Sequence, residues 1–274
     1  MSTAQKMPRP VRSTIKAGSL LVFFAFVFLP LVQVVLLSFM STLPRNDIAR
    51  GSITLLNYAT IWNDPDLRAS LFNSVTYVTL NIFVTLAVAI PAAYAFSRYR
   101  FAGARQLFLV FLAFRITPPV VLMFPVFQLF ASMNLINAPL GIALAHCMFN
   151  LPVSIWILQS FMNAIPVELD ETARLDGHKL PSFFMRIFLP LLAPGIGVAA
   201  FFCFMFSWVE VVFARILTVT GGKPISMAIN ALFGFQTDIG LVMAMTMMSI
   251  VPGVIMVYFA RHHIAKGFTI NKSA

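Results

Sequence analysis

Long apolar runs alternate with short polar segments along the whole chain. Each run is at least about 20 residues long, and together they cover residues 17–40, 71–96, 107–130, 138–162, 191–213 and 239–260. A run of this length allows one helix to cross the hydrocarbon core of a bilayer. The pattern therefore predicts an all-α integral membrane protein with six transmembrane helices.

One polar segment stands out between the fourth and fifth runs. It covers residues 165–190, with the sequence IPVELDETARLDGHKLPSFFMRIFLP. Pro166 suits the first turn of a helix, where its missing N–H is not needed. Carboxylates follow in or near that turn, where the helix dipole favours negative charge, and Gly177 supplies a helix stop. The segment predicts a short capped helix over 166–177.

Composition supports the assignment to a membrane. The chain has 274 residues, of which 59% are hydrophobic and only 10% are charged, whereas about a quarter of the residues of a soluble domain are charged. The net charge of +10 does not indicate nucleic-acid binding, because the basic residues lie in short clusters between apolar runs.

Lysines and arginines predict the orientation, because they are enriched in cytoplasmic loops. Of the 19 such residues, 13 lie on the side that holds both termini and the 166–177 helix, and five lie on the other side. We therefore expect a cytoplasmic basic tail at 1–16, a transmembrane domain at 17–262 and a cytoplasmic tail at 263–274. The polar segments 41–69 and 214–238 then face outward.

The chain lacks the common motifs of an enzyme. Its nearest approach to a phosphate-binding loop, Gly222-Lys223, has Leu217 where a glycine is needed and Pro224 where serine or threonine is needed. Both cysteines, Cys147 and Cys203, lie inside apolar runs, where inert buried thiols are typical. We expect no catalytic residue, no metal site and no cofactor bound by this chain. Any energy from ATP hydrolysis must therefore come from a partner.

The segment 165–190 also carries a spaced motif. Glu171-Thr172-Ala173 is followed after three residues by Gly177, and after nine more by Ile187-Phe188-Leu189-Pro190. This resembles the EAA motif of ABC importer permeases, with Thr172 in place of the first alanine. In that family the loop is a cytoplasmic coupling helix that docks in a groove of the ATPase subunit. An ordinary surface helix between two spans is the alternative.

Further segments resemble the carbohydrate-uptake, maltose-type branch of these permeases. They are Asn73-Ser74, the stretch AAYAFSRYRFAG at 92–103, Pro118-Pro119 with Pro125, Leu151-Pro152 with Trp156, SWVE at 207–210 and IAKGFT at 264–269. In SWVE, Val209 replaces the usual asparagine. The resemblance covers approximately residues 17–270.

The resemblance implies the partners of this chain. They are a second, related permease chain, two ATPase subunits that bind ATP and Mg²⁺, an extracytoplasmic solute-binding protein, a small-molecule solute and the lipid of a bacterial inner membrane, with no nucleic acid. Contact with the ATPase would fall to residues in and after the predicted coupling helix: Glu168, Glu171, Thr172, Ala173, Asp176, Gly177, Leu189 and Pro190.

Arg115 is the main candidate for a residue of the solute path. It falls inside the third run, roughly 15 Å beyond Arg105 by helical rise, and a charge at that depth usually faces a bundle interior or an aqueous cavity. The prolines that follow favour a kink. Arg115 would also be explained by a structural pair with a neighbouring chain or by a side chain that snorkels to the membrane surface. Glu210 is a second charged candidate, for which an interfacial ion pair with Arg215 is the alternative. The candidate path residues are Arg115, Thr117, Trp208 and Glu210.

The outer segment 214–238 is the candidate contact with the solute-binding protein. The resemblance implies that this loop meets the binding protein, and the residues expected to do so are Gly221, Gly222, Lys223 and Pro224. A plain surface loop or a re-entrant loop is the alternative.

The sequence thus predicts the permease subunit of an ATP-driven, binding-protein-dependent importer of a sugar, a polyol such as glycerol or a related small solute. One alternative is a secondary transporter or channel without an ATPase, which would predict paired intramembrane carboxylates or half-length helices. Another is an ABC permease for a non-carbohydrate solute, and a third is a membrane scaffold that transports nothing.

Overall fold

The computed structural model describes residues 9–43, 49–234 and 237–270, with the side chains of 18–43, 49–234 and 237–261. Residues 1–8 of the predicted basic tail and 271–274 of the predicted C-terminal tail lie outside the described residues. Within these ranges the chain is helical and has no β-strand, although Met40 and Ile53 form an isolated antiparallel bridge.

Twelve α-helices make up most of the part that the structure describes. They are α1 (Arg9–Ser38), α2 (Leu56–Asn63), α3 (Pro65–Arg98), α4 (Ala104–Ile116), α5 (Met123–Ser132), α6 (Pro139–Asn163), α7 (Glu168–Leu175), α8 (Leu180–Phe183), α9 (Leu189–Val209), α10 (Val212–Leu217), α11 (Ile225–Ala231) and α12 (Ile239–Ile270). A 3₁₀ turn at Pro119–Leu122 precedes α5, and a π-helical turn at Phe184–Phe188 joins α8 to α9.

The helices long and apolar enough to cross a membrane number five among the described residues. They are Gly18–Ser38, Pro65–Arg98, Pro139–Asn163, Leu180–Val209 and Ile239–Arg261. A sixth crossing results if Ala104–Ile116 and Pro119–Ser132, which are bent by 100° relative to each other, form one span. The predicted all-helical membrane architecture is confirmed.

Two predicted spans differ from the helices observed. The third, 107–130, is interrupted after Ile116, because Pro118 and Pro119 cannot donate backbone hydrogen bonds and clash with a preceding helical turn. The fifth was expected at 191–213, but the continuous helical stretch starts at Leu180 and ends at Val209. It ends there because Glu210 has an extended backbone, with φ −70° and ψ 132°.

The described residues divide into two compact units. The larger contains Asp64–Ala231 and the chain from Ser249 onward, and in it α3 packs along α6 while α9 packs against both. α6 is central, since 13 of its 25 residues are buried, against nine of the 34 in α3. Small side chains such as Ala89, Ala93 and Ala199 let these helices approach closely.

The smaller unit contains the chain up to Asn63 and Leu232–Met248. The side-chain amide of Asn57 donates to the carbonyls of Ser38 and Met40 at 2.9 and 3.0 Å. Thr42 donates from Oγ1 to a carboxylate oxygen of Asp238 at 2.7 Å. These bonds satisfy polar groups just after α1, where the helix leaves its last carbonyls without partners.

Candidate functional site

α7 is an eight-residue helix that exposes most of its length between α6 and α8. Three carboxylates, those of Glu168, Asp170 and Glu171, lie in its first turn, where they interact favourably with the helix dipole. The helix starts two residues after Pro166, whose carbonyl accepts the N–H of Leu169 at 3.3 Å.

Gly177 stops this helix, as the sequence predicts. It takes a left-handed backbone with φ +78°. The N–H of Gly177 donates to the carbonyl of Arg174 at 3.1 Å, and the N–H of His178 donates to that of Ala173 at 3.0 Å. This pair of bonds is the Schellman motif, whose left-handed position favours glycine. Apart from its two chain neighbours, no residue has an atom within 4 Å of where a Cβ on Gly177 would sit.

Ala173, one of the residues predicted to contact the ATPase, is buried within this chain. It is only 5% exposed and packs in a cluster with Tyr94, Phe183 and Phe188 of the same chain. The other residues predicted for the ATPase contact remain accessible: Glu168, Glu171, Thr172, Asp176, Gly177 and Pro190 are exposed, and Leu189 is half-buried.

A surface hollow of about 480 Å³ lies beside α7. Its lining includes two of the predicted contact residues, Glu168 and Thr172, together with Leu169 of α7 and Leu191 of α9. The hollow is therefore bounded by the exposed acidic helix and by the first turn of α9.

Asp170 is the residue that fixes α7, and it is not among those that the sequence predicts for this site. It is 7% exposed. Its Oδ2 accepts a hydrogen bond from Nε of Arg98 at 2.7 Å and another from the hydroxyl of Tyr94 at 3.3 Å. Arg98 and Asp170 are 72 positions apart, so no local pattern indicates the pair.

Arg115 and Thr117 lie where α4 ends. The guanidinium carbon of Arg115 is 3.7 Å from the centre of the Phe206 ring on α9, which is a cation–π contact. Thr117 donates from its hydroxyl to the carbonyl of Ala113 at 2.8 Å. Phe206 is a further candidate that the sequence does not single out among 29 phenylalanines.

Trp208 makes its contacts within the chain. It is 8% exposed, stacks on Phe204 with ring centres 5.3 Å apart, and donates from Nε1 to the carbonyl of Ser249 at 3.0 Å. These contacts hold α9 against α12.

Glu210 pairs with His146, not with Arg215. Its Oε2 lies 3.1 Å from Nε2 of His146 and accepts the backbone N–H groups of Phe213 and Ala214 at 3.1 and 3.3 Å. The carboxylate therefore caps the start of α10 and ties it to α6.

A buried polar cluster joins α3, α6 and α9. The side-chain amide of Asn150 donates to Oδ1 of Asn81 at 2.7 Å and to Oγ of Ser207 at 3.0 Å, and Ser207 in turn donates to Oδ1 of Asn81 at 2.9 Å. All three residues are buried. The sequence gives no signal for this cluster, because each member lies singly in an apolar run.

The predicted binding-protein contact is a loop anchored on α3. The Tyr77 hydroxyl donates to the carbonyl of Gly222 at 2.6 Å, and Oγ of Ser74 accepts the N–H of Ile225 at 2.7 Å. Gly221 and Lys223 are exposed and Gly222 is half-buried, but Pro224 is buried. Pro224 is therefore less accessible than the other predicted contacts, because the loop turns into α11 there.

Known proteins of similar sequence are permease proteins of transport systems. The trehalose/maltose transport system permease protein MalG of Thermococcus litoralis is 29% identical over 259 residues, which is 92% of this chain and 93% of the relative. The trehalose transport system permease protein SugB of Mycobacterium tuberculosis is 27% identical over 250 residues, 89% of this chain and 91% of the relative.

One crystal structure shares the fold across almost the whole chain. It is that of a bacterial ABC transporter involved in the import of the acidic polysaccharide alginate, with a TM-score of 0.78, 20% identity, and coverage of 95% of this chain and 99% of that chain. The family model described as binding-protein-dependent transport system inner membrane component matches residues 85–268. This chain therefore belongs to the family of binding-protein-dependent transport system inner membrane components.

Proposed function

We propose that this chain is the permease subunit of an ATP-driven importer of a sugar, a polyol or a related small solute in a bacterial inner membrane. The observation that carries the proposal is α7, an exposed acidic helix set between two apolar helices in a chain of this family. The solute class is supported by the two relatives that match this chain along most of its length, which are named for trehalose and maltose transport.

α7 would be the element that couples this chain to its energy source. Its exposed residues and the hollow beside it form a surface for a partner ATPase subunit, with Glu168 and Glu171 available to basic side chains. Two such subunits, which hold the ATP and Mg²⁺, would close on binding nucleotide. Their closure would displace α7 and switch the solute path between inward and outward access, because the nucleotide prefers the closed dimer.

The remaining partners would meet other surfaces. A second, related permease chain would complete the path, to which Arg115 and Thr117 at the end of α4 would contribute. The exposed residues Gly221 and Lys223 would face an extracytoplasmic solute-binding protein. α1 would face lipid or the second permease chain, because residues 18–33 are all exposed.

The first test is copurification in detergent of this chain, co-expressed with its genomic neighbours. Gly177→Val puts a β-branched side chain on a left-handed backbone, which costs about 1–2 kcal/mol and disturbs the end of α7. Gly103→Val is the matched control, because Gly103 also has a positive φ, +87°, and open space where its Cβ would sit, yet lies outside α7.

We expect wild type and Gly103→Val to retain an ATPase subunit and Gly177→Val to lose it or to hydrolyse ATP without uptake. If no ATPase copurifies with wild type under any condition, the proposal that α7 binds an ATPase fails and a transporter without an ATPase becomes the leading alternative. Equal ATPase recruitment and uptake in all three chains would leave α7 as an ordinary surface helix.

A further inference from the structure

Arg98, the last residue of α3, binds two other elements through one guanidinium group. Nε donates to Asp170 of α7 at 2.7 Å, while Nη1 and Nη2 donate to the carbonyls of Met162 and Ile165 at 3.3 and 3.0 Å, at the end of α6 and just beyond it. Its guanidinium carbon also lies 5.6 Å from the centre of the Phe188 ring in the π-helical turn. The side chains of Arg98 and Asp170 are 5% and 9% exposed.

Besides Asp170, α7 is held by apolar contacts of Ala173 and of Leu169, which is partly buried against the same core. A helix of eight residues is marginal on its own, and the only residues of α7 that are buried are Asp170 and Ala173. The apolar contact of Ala173 has no directional preference. The planar guanidinium fork of Arg98 is directional, so it fixes how α7 is oriented relative to α3 and α6.

We propose that Arg98 and Asp170 form the linkage that makes α7 and the adjoining ends of α3 and α6 move as one body during transport. This rests on the proposed function, in which α7 receives the movement of the ATPase subunits. Arg98 is a positioning residue, since it acts through α7 and not on solute or nucleotide.

The consequence for transport follows from the shape of α3. Its 34 residues, which include Pro91, form one continuous helix of about 51 Å by helical rise. Ser74 and Tyr77 of this helix bind the loop at Gly222 and Ile225. A displacement of α7 that is passed to Arg98 is therefore passed to α3. Without the bonds of the Arg98 guanidinium, α7 can move with the ATPase subunits while α3 keeps its position. ATP is then hydrolysed without transport of solute.

Two conservative variants break the linkage in different ways. Arg98→Lys keeps the positive charge but replaces the three nitrogens that bind Asp170, Met162 and Ile165 with a single nitrogen that lacks the planar geometry of the guanidinium. Asp170→Asn keeps the shape and removes the charge. Arg100→Gln is the matched control, because Arg100 lies two residues further on and is exposed.

The complex with its permease partner, ATPase subunits and binding protein is reconstituted in liposomes. ATP hydrolysis and uptake of labelled trehalose, maltose or glycerol are measured in the same vesicles. We expect both variants to hydrolyse ATP near the wild-type rate while uptake per ATP falls by about tenfold or more, and Arg100→Gln to match wild type. An unchanged ratio of uptake to hydrolysis in both variants overturns the proposal.

If a variant does not assemble with the partner subunits, hydrogen exchange of the α7 amides tests whether Arg98 holds α7 in place. It is read on this chain alone in lipid nanodiscs, where we expect faster exchange at residues 168–175 in Arg98→Lys than in wild type or Arg100→Gln. Wild-type exchange rates in Arg98→Lys overturn the linkage. Failure of the proposed function is seen separately, as wild-type liposomes that show no ATP-dependent uptake at all.

Discussion

At the scale of single residues, the cluster of Asn81, Asn150 and Ser207 is a feature that the hydropathy pattern does not reveal, because each residue lies singly in an apolar run. Amides inside the hydrocarbon region need partners within the protein, because lipid offers none. Each interhelical hydrogen bond of this kind stabilises a membrane protein by about 0.6 kcal/mol on average, and by up to about 1.7 kcal/mol. The cluster therefore fixes which faces of α3, α6 and α9 meet, in helices whose apolar side chains would pack in several ways.

Asn150→Leu tests this role. The substitution removes the bonds to Asn81 and Ser207 while keeping a similar volume, so the free energy of unfolding in detergent should fall by about 1–3 kcal/mol. Ser160→Ala is the control on the same helix, since its exposed hydroxyl bonds only to the carbonyl of Trp156 at 2.9 Å, and its effect should stay within about 0.5 kcal/mol. Equal stability of the two variants in chemical denaturation would contradict a stabilising cluster.

At the scale of elements, the charged candidate residues Arg115 and Glu210 lie beside the ends of helices. α4 ends at Ile116, just after Arg115, and α9 ends at Val209, just before Glu210. In both places a charged side chain takes a partner on another helix, Phe206 for Arg115 and His146 for Glu210. Ends of helices also free backbone groups, and Glu210 uses two of them. Interrupted helices thus let an apolar bundle hold charges at defined points.

The loop that contains Gly222 and Lys223 gives a prediction at the scale of elements, through the contact of Gly222 with Tyr77. A Cβ at position 222 would lie 2.6 Å from the Tyr77 hydroxyl, and Gly222 has φ +74°. Gly222→Ala should therefore destabilise the chain by both the clash and the strained backbone, the strain alone costing about 1–2 kcal/mol. In a Tyr77→Phe background the clash is gone, so the same substitution should cost only the strain.

A double-mutant cycle of unfolding free energies measures the difference. We expect the two changes to be non-additive, as neighbouring residues usually are. Gly221→Ala is the control, because a Cβ there would meet open space and the φ of Gly221 is not positive. Strictly additive effects of Gly222→Ala and Tyr77→Phe would show that the loop does not rest on this hydroxyl.

At the scale of the whole molecule, the sequence predicts the all-helical membrane architecture because the bilayer sets one length for every crossing, whereas the third and fifth helices differ from the predicted bounds. Short-range signals are equally readable, as Gly177 at the end of α7 and the prolines after Arg115 illustrate. Pairs that are distant in sequence are not: Asn81 with Asn150 and Arg98 with Asp170 come together only when α3 packs on α6. Burial is also decided by packing, which is why Ala173 and Pro224 face inward despite lying in polar segments.

Orientation in the membrane is the prediction that belongs to this scale. The loop around Lys223 is bound near one end of α3, where the side-chain amide of Asn73 donates to the Lys223 carbonyl at 3.3 Å, and Arg100 follows the other end. From Asn73 to Arg98 α3 rises about 37 Å, more than the hydrocarbon thickness of about 30 Å. We therefore expect Lys223 and Arg100 to lie on opposite sides of the membrane, and the excess of basic residues predicts that Arg100 is cytoplasmic.

Labelling of intact cells with a membrane-impermeant maleimide measures this directly. Cys147 and Cys203 are free but buried, so the native thiols contribute little background, and both replaced side chains are exposed. We expect Lys223→Cys to react in intact cells, and Arg100→Cys to react only after the membrane is permeabilised. The reverse labelling pattern would show the opposite orientation, in which α7 lies on the outer face and cannot contact a cytoplasmic ATPase.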